Sequence, residues 1–187
     1  MHELSGRLAH GNDQKGPAVS PILTTNTLDI ISHSLAQTRR LGSRLGAHAQ
    51  PGDVYCLEGE LGSGKTSFVQ GIAEGLGVTV PVTSPTFVLA NVYRGAPGRP
   101  PLYHLDLYRI SGPQEALDFG LEDYLYGEGV VAIEWPERIK EVLPPEHLWI
   151  SFRYLDATKR GLLMQPRGAR YEALVAGLQR EIYGGRE

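Results

Sequence analysis

Gly59-Glu60-Leu61-Gly62-Ser63-Gly64-Lys65-Thr66 meets the pattern G-x-x-x-x-G-K-[ST] at every fixed position. The glycines let successive backbone N–H groups converge on an anion with no side chain in the way. A helix opening at Lys65 aims its N-terminus at the same point and adds partial positive charge. The Lys65 ammonium can reach the outer phosphates of a nucleotide, and the Thr66 hydroxyl can ligate magnesium. The flanks agree with this reading. Val54-Tyr55-Cys56-Leu57, entered through the turn Pro51-Gly52-Asp53, is a short apolar run of the buried-strand kind. Downstream, Phe68, Val69, Ile72 and Leu76 share one helical face, and Gly77 provides a stop.

Such a loop needs a carboxylate near the magnesium, delivered by a neighbouring buried strand. Two acids qualify. Glu134 closes Val130-Val131-Ala132-Ile133-Glu134, and Asp106 lies within Leu102-Tyr103-His104-Leu105-Asp106. Ligands of open α/β sheets gather at strand carboxyl ends, which would bring both acids towards the loop. The competing reading has either acid capping a helix or pairing with Arg109 or Arg138. Trp135, next to Glu134, reads from its type alone as a tryptophan packed at the domain edge. Ser84-Pro85-Thr86 is either a turn into a strand or a switch whose hydroxyl senses a γ-phosphate. The histidines, His104 among them, have no metal-ligand spacing with Cys56.

Further strands are expected at 86–93, 102–107 and, as an antiparallel pair, at 148–155 and 160–165. Ser34-Leu35-Ala36-Gln37 reads as a capping box opening a helix over 35–48, with Leu35, Leu41 and Leu45 on its buried face. Residues 113–126 read as a helix broken near Gly120. A last helix over 169–183 places Tyr171, Leu174, Val175, Leu178 and Ile182 on one side. The loop 94–101 is too rich in proline and glycine to pack. Residues 1–33 are expected to form a flexible extension, and 34–187 a single domain. The fold expected is α/β, a phosphate-loop three-layer sandwich with a mixed, mostly parallel sheet and a late antiparallel hairpin.

Of the 187 residues, 18 are basic and 21 acidic, and this net charge of -3 supplies no basic field for gripping nucleic acid unaided. No run of 18 apolar residues occurs, which excludes an evident membrane span. A single cysteine, Cys56, fits a reducing cytoplasm.

Thr158-Lys159 is followed by Arg160-Gly161, without the aspartate of a guanine-specific [NT]-K-x-D signature, which favours ATP. The phosphate loop, Thr83-Ser84-Pro85-Thr86-Phe87, His104-Leu105-Asp106-Leu107-Tyr108-Arg109 and Glu134-Trp135-Pro136 follow one another as in the TsaE family (formerly YjeE). The resemblance spans residues 34 to 165. It implies a bacterial ATPase required for the threonylcarbamoyl modification of tRNA. In that family the group is transferred by the partner pair TsaB and TsaD, while TsaE binds ATP and hydrolyses it slowly. tRNA is then met only indirectly. By position, Thr66 and Glu134 resemble the magnesium ligands, and Lys65, Asp106, Glu134 and Trp135 the catalytic group. Thr38, Glu60, Leu61, Gly62, Ser63, Gly64, Lys65, Thr66, Ser67 and Arg160 resemble the nucleotide-binding residues. Ser67 departs from the second threonine of many members.

The mechanism expected is phosphoryl transfer to water. Backbone amides of 60–66 and Lys65 hold the triphosphate, and Asp106 orders an attacking or metal-bound water. No arginine finger is evident near the loop, so slow turnover in isolation is expected. A small-molecule kinase and a nucleotide-sensing scaffold are the alternative readings.

Overall fold

A computed structural model describes residues 26–85 and 89–184 of the chain. In chain order the elements are β1 (Leu28–Ser32), α1 (Leu35–Ala47), β2 (Val54–Glu58), α2 (Lys65–Gly75), β3 (Ala90–Tyr93), β4 (Leu102–Asp106), α3 (Pro113–Asp118) and α4 (Leu121–Leu125). Then follow β5 (Val130–Glu134), a 3-10 segment Pro136–Val142, β6 (His147–Tyr154), β7 (Arg160–Arg167) and α5 (Ala169–Tyr183). The strands form one sheet in the order β1-β7-β6-β2-β5-β4-β3. Its middle, β6, β2, β5 and β4, is parallel, and the outer strands β7, β1 and β3 run antiparallel to their neighbours. The fold is therefore a mixed α/β sheet with the late hairpin that the sequence suggests.

The central strands are apolar throughout because both of their faces are covered. Tyr55, Leu57 and Ala132 face a core shared with Leu41, Leu45, Phe68, Ile72, Leu174 and Leu178. Val54, Cys56, Val131 and Ile133 face the opposite core, with Leu121, Leu125 and Ile139. Burial pushes the Cys56 thiol well above the ordinary range, so the one sulfur is a packing group.

Register builds the site. Asp106 pairs with Glu134 across β4 and β5, and Glu134 with Leu57 across β5 and β2. Both acids thus end adjacent parallel strands beside the loop that leaves β2.

Several expectations are corrected. The boundary between residues 33 and 34 falls too late: Leu28–Ser32 is an edge strand paired with β7. Its alternation of buried Leu28, Ile30 and Ser32 with exposed Asp29 and Ile31 marks a half-covered antiparallel strand. Residues 1–25 of the expected extension, and Thr86 with its two successors, lie outside the described residues. The strand expected at 86–93 is described only as Ala90–Tyr93. Leu35 is 51% exposed, so the buried face of α1 begins at Thr38 and Leu41. The capping box closes one residue early: Ser34 Oγ accepts from Gln37 N–H at 3.1 Å, while Gln37 Oε1 takes the N–H of His33 at 2.7 Å.

The loop 94–101 does pack. Arg99 donates to the carbonyls of Gly46 at 2.6 Å and Ala47 at 2.9 Å, ending α1, and reaches Gly75 of α2 at 3.5 Å. These carbonyls lie at helix C-termini, where a cation is favoured; that of Gly46 also accepts from the Ala49 N–H at 3.2 Å. Helices α1 and α2 approach unusually closely: a Cβ added at Gly42, Gly46 or Gly75 would stand 2.2 Å from a backbone oxygen of the facing helix. This contact ties the helix after the phosphate loop rigidly to α1.

Candidate nucleotide-binding site

The loop turns between β2 and α2 on glycine conformations. Gly64, at φ 102°, is the N-cap of α2, and no side chain caps that helix end. The first-turn N–H groups of α2 are thereby left to a ligand. At Gly59 a Cβ would lie 2.8 Å from both the Phe152 carbonyl oxygen and Ser63 Oγ, so only glycine fits beneath the loop. Ser63 is buried with a hydroxyl that has no partner among the described residues, a further polar group available to an anion.

Lys65 is 4% exposed and folds back on its own loop. Its Nζ donates to the carbonyls of Gly59 at 2.5 Å and Glu60 at 2.9 Å, and stands 4.4 Å from the centre of the Trp135 ring. Burial pulls the ammonium below the ordinary lysine value, opposed by the charges of Glu134, Asp106 and Glu137. Thr66 Oγ1 donates to Glu134 Oε1 at 2.9 Å. The same oxygen meets His104 Nε2 at 2.9 Å. Asp106 is held by Ser84, whose hydroxyl donates to Oδ2 at 2.6 Å, and by the Tyr108 N–H, 3.1 Å from Oδ1.

Trp135 has φ 64°, the only positive φ among the described non-glycine residues. For a bulky residue this left-handed backbone costs about 1–2 kcal/mol. It ends β5 abruptly and lays the indole between Lys65 and Tyr108, whose ring centre is 4.9 Å away. The tryptophan does pack at the edge of the core, as its type suggests, and its ring also lies against the loop lysine.

Two cavities meet at Thr66 and Glu134. One, of about 330 Å3, is lined by Ser84, Asp106, Tyr108, Arg109 and Trp135 besides those two residues. The other, of about 240 Å3, is lined by Leu35, Gly62, Gly64, Lys65, Ser67 and Arg160. Leu61, 82% exposed, borders both, and Glu60 is exposed beside it.

Arg160 comes from the start of β7 and reaches the loop, its Nη2 donating to Gly62 O at 3.4 Å. Its Nη1 holds the carbonyls of Asp156 at 2.8 Å and Lys159 at 2.9 Å, and its Nε is buried without a partner among the described residues. Thr38 is buried behind Gly64, its methyl 3.8 Å from where a Cβ there would stand. Its hydroxyl is engaged by Ser32 Oγ at 2.8 Å and the Ser34 carbonyl at 3.3 Å. The fold therefore brings Thr38, Lys65, Thr66, Ser67, Asp106, Glu134, Trp135 and Arg160 together around the glycine loop, with Ser84 beside Asp106, while Thr86 lies outside the described residues. Missed were His104, Arg109, Tyr108 and Leu35. His104 lies two residues before Asp106, hence on the same face of β4, a signal that alternation could have supplied. Arg109 lines the larger cavity, so a cation does stand near the loop.

The donor set suits magnesium. A hydroxyl and a carboxylate are hard oxygen ligands, and no group of three or more His, Cys, Asp or Glu among the described residues could hold a metal alone. Magnesium commonly takes one or two protein oxygens and completes its shell with phosphate and water.

Fold and loop together define a class: an α/β protein with a glycine-rich G-x-x-x-x-G-K-[ST] loop at the carboxyl end of a parallel sheet core. Within it, the family model described as "Threonylcarbamoyl adenosine biosynthesis protein TsaE" matches residues 32–162, and the chain belongs to the TsaE family. The tRNA threonylcarbamoyladenosine biosynthesis protein TsaE of Bacillus subtilis is 43% identical over 144 residues, 77% of this chain and 89% of that protein. Its counterpart from Treponema pallidum is 43% identical over 125 residues, 67% of this chain and 90% of that protein. The crystal structure of YdiB from Bacillus subtilis superposes with TM-score 0.72 at 37% identity, covering 83% of this chain and 96% of that one.

Proposed function

We propose that the chain is an ATP-binding, slowly hydrolysing accessory ATPase of tRNA threonylcarbamoyladenosine biosynthesis, acting with TsaB and TsaD homologues and not transferring the group itself. The observation that carries this is the junction of Lys65, Thr66 and Glu134 at the loop, where Thr66 and Glu134 lie 2.9 Å apart. Family membership supports the role in the pathway.

In this reading the backbone amides of 60–66 and the uncapped end of α2 hold the triphosphate. Lys65 leaves the carbonyls of Gly59 and Glu60 and turns to the outer phosphates. Thr66 Oγ1 and, directly or through water, Glu134 would hold magnesium, which supplies charge neutralisation on the phosphate oxygens. Asp106, fixed by Ser84 and the Tyr108 N–H, orients a water at the phosphate end of the larger cavity. That cavity is open on the side of Leu61 and Tyr108, both exposed, so partner proteins close it and turnover alone is slow. The partners assigned are homologues of TsaB and TsaD. tRNA is reached through them, since a net charge of -3 offers no field for direct grip. Among the described residues no helix is long and apolar enough to cross a membrane. With its single, buried thiol the chain is assigned to the cytoplasm.

ATP turnover should be measured on the chain alone and with TsaB and TsaD homologues present. Slow basal turnover that rises with both partners supports the assignment. Turnover alone at the ordinary kinase rate of about 1–100 per second overturns it. The larger cavity could instead seat an acceptor hydroxyl, as in a kinase; stimulation by a metabolite and not by the partners would favour that reading.

A further inference from the structure

We infer that His104 is a positioning residue that aims the magnesium-side carboxylate of Glu134; the inference rests on the magnesium reading above. His104 is fully buried on β4, and its pairing partner across the sheet is Ala132, two residues before Glu134. Its Nε2 lies 2.9 Å from Glu134 Oε1, while its Nδ1 is buried with no partner among the described residues. A proton on Nδ1 would be a buried donor without an acceptor, at a penalty of about 1–3 kcal/mol. The tautomer with its proton on Nε2 avoids this and donates to Glu134.

Oε1 therefore receives two hydrogen bonds, from His104 and from the Thr66 hydroxyl. Both donors converge on one oxygen, and no donor among the described residues reaches Oε2. The carboxylate is thus held by one oxygen with the other left for a cation or its water. Thr66 stands in the first turn of α2 and its hydroxyl is itself a ligand in the magnesium reading, whereas His104 sits on β4. The histidine keeps Glu134 in one rotamer when the Thr66 hydroxyl turns to the cation, as outer hydrogen bonds commonly do for metal-ligating carboxylates. A buried polar ring in this position is otherwise unexplained: an apolar residue would pack there without the orphaned Nδ1.

The test is ATP affinity by calorimetry, with magnesium and with EDTA, together with thermal melting, on wild type, His104→Leu, His104→Gln and His104→Asn. Glutamine can present its amide N–H where Nε2 stands; leucine has no donor, and asparagine is too short to reach. Expected is a loss of about 10–100-fold in magnesium-dependent affinity for His104→Leu and His104→Asn. Affinity in EDTA should stay within about twofold, and His104→Gln should recover most of the loss. Should His104→Leu not fold, the Gln and Asn pair carries the same comparison. Equal losses with and without magnesium, or no rescue by glutamine, would reduce His104 to a packing residue. Magnesium enhancement in wild type that survives in His104→Leu and His104→Asn overturns this inference alone. If wild type shows no magnesium enhancement, the reading of Thr66 and Glu134 falls first and takes this one with it.

Discussion

Alanine at Gly71 should destabilise the protein even though alanine is the better helix former. In the α1–α2 contact, a Cβ at Gly71 would stand 2.0 Å from the Arg39 carbonyl oxygen and 2.9 Å from both Arg39 C and Ser43 N. All three are backbone atoms, so no side chain can swing away. Reaching ordinary contact requires the helices to part by about 1 Å, opening the core around Leu41, Leu45, Phe68 and Ile72. Overpacking of this kind costs about 1–3 kcal/mol, and the upper end applies against backbone. Helix propensity returns about 1 kcal/mol. The net loss of about 1–2 kcal/mol should lower the melting temperature by about 2–8 °C, at roughly 2–4 °C per kcal/mol for a chain of this size. Gly177→Ala in α5 is the matched control, since its nearest neighbour is the Arg180 guanidinium at 4.0 Å. That substitution should raise the melting temperature by about 1–3 °C. Circular dichroism melts of both variants decide the matter: a Gly71→Ala protein melting at or above wild type refutes the close-approach reading.

Arg99→Ala removes the cation that donates to the carbonyls of Gly46 and Ala47 at the end of α1, so urea titration should show a loss of about 1–3 kcal/mol. Arg99→Lys, with a single point charge, should restore only part of it. Because burial depresses the Lys65 ammonium, ATP affinity measured against pH should begin to fall below the ordinary lysine range, as the charge that meets the phosphates is lost. For folding the sign is opposite: between the folded and unfolded values the unfolded chain holds more protons, so this group's contribution to stability grows as pH rises across that window. In a Trp149→Phe background, ATP should change the remaining Trp135 emission as Lys65 leaves its place 4.4 Å from that ring; unchanged emission at saturating ATP would contradict the movement.

Much of the site was legible because its residues obey local rules. The loop declares itself by spacing, and Val130-Val131-Ala132-Ile133 can only be a covered strand, so its terminal Glu134 had to emerge at the sheet's carboxyl end. Asp106 followed by the same logic one strand away. What escaped depended on contacts distant in sequence. Gly42, Gly46, Gly71 and Gly75 look like poor helix residues until the facing helix is in place to fill the missing side chains. Arg99 sits in a breaker-rich loop, and its partners lie about fifty residues earlier. β1 has five residues and one buried face, too little signal to separate from the chain before it. His104 has no spacing with other ligands, because its partner is a glutamate on the neighbouring strand.

Calorimetric titration of ATP, with and without magnesium, into wild type and Lys65→Ala tests the nucleotide site most directly. Wild type should bind one ATP per chain, more tightly with magnesium, and Lys65→Ala should show no saturable binding in the same range. Wild-type protein that takes up no ATP, or Lys65→Ala protein that binds it as well as wild type, would contradict a site built on this loop.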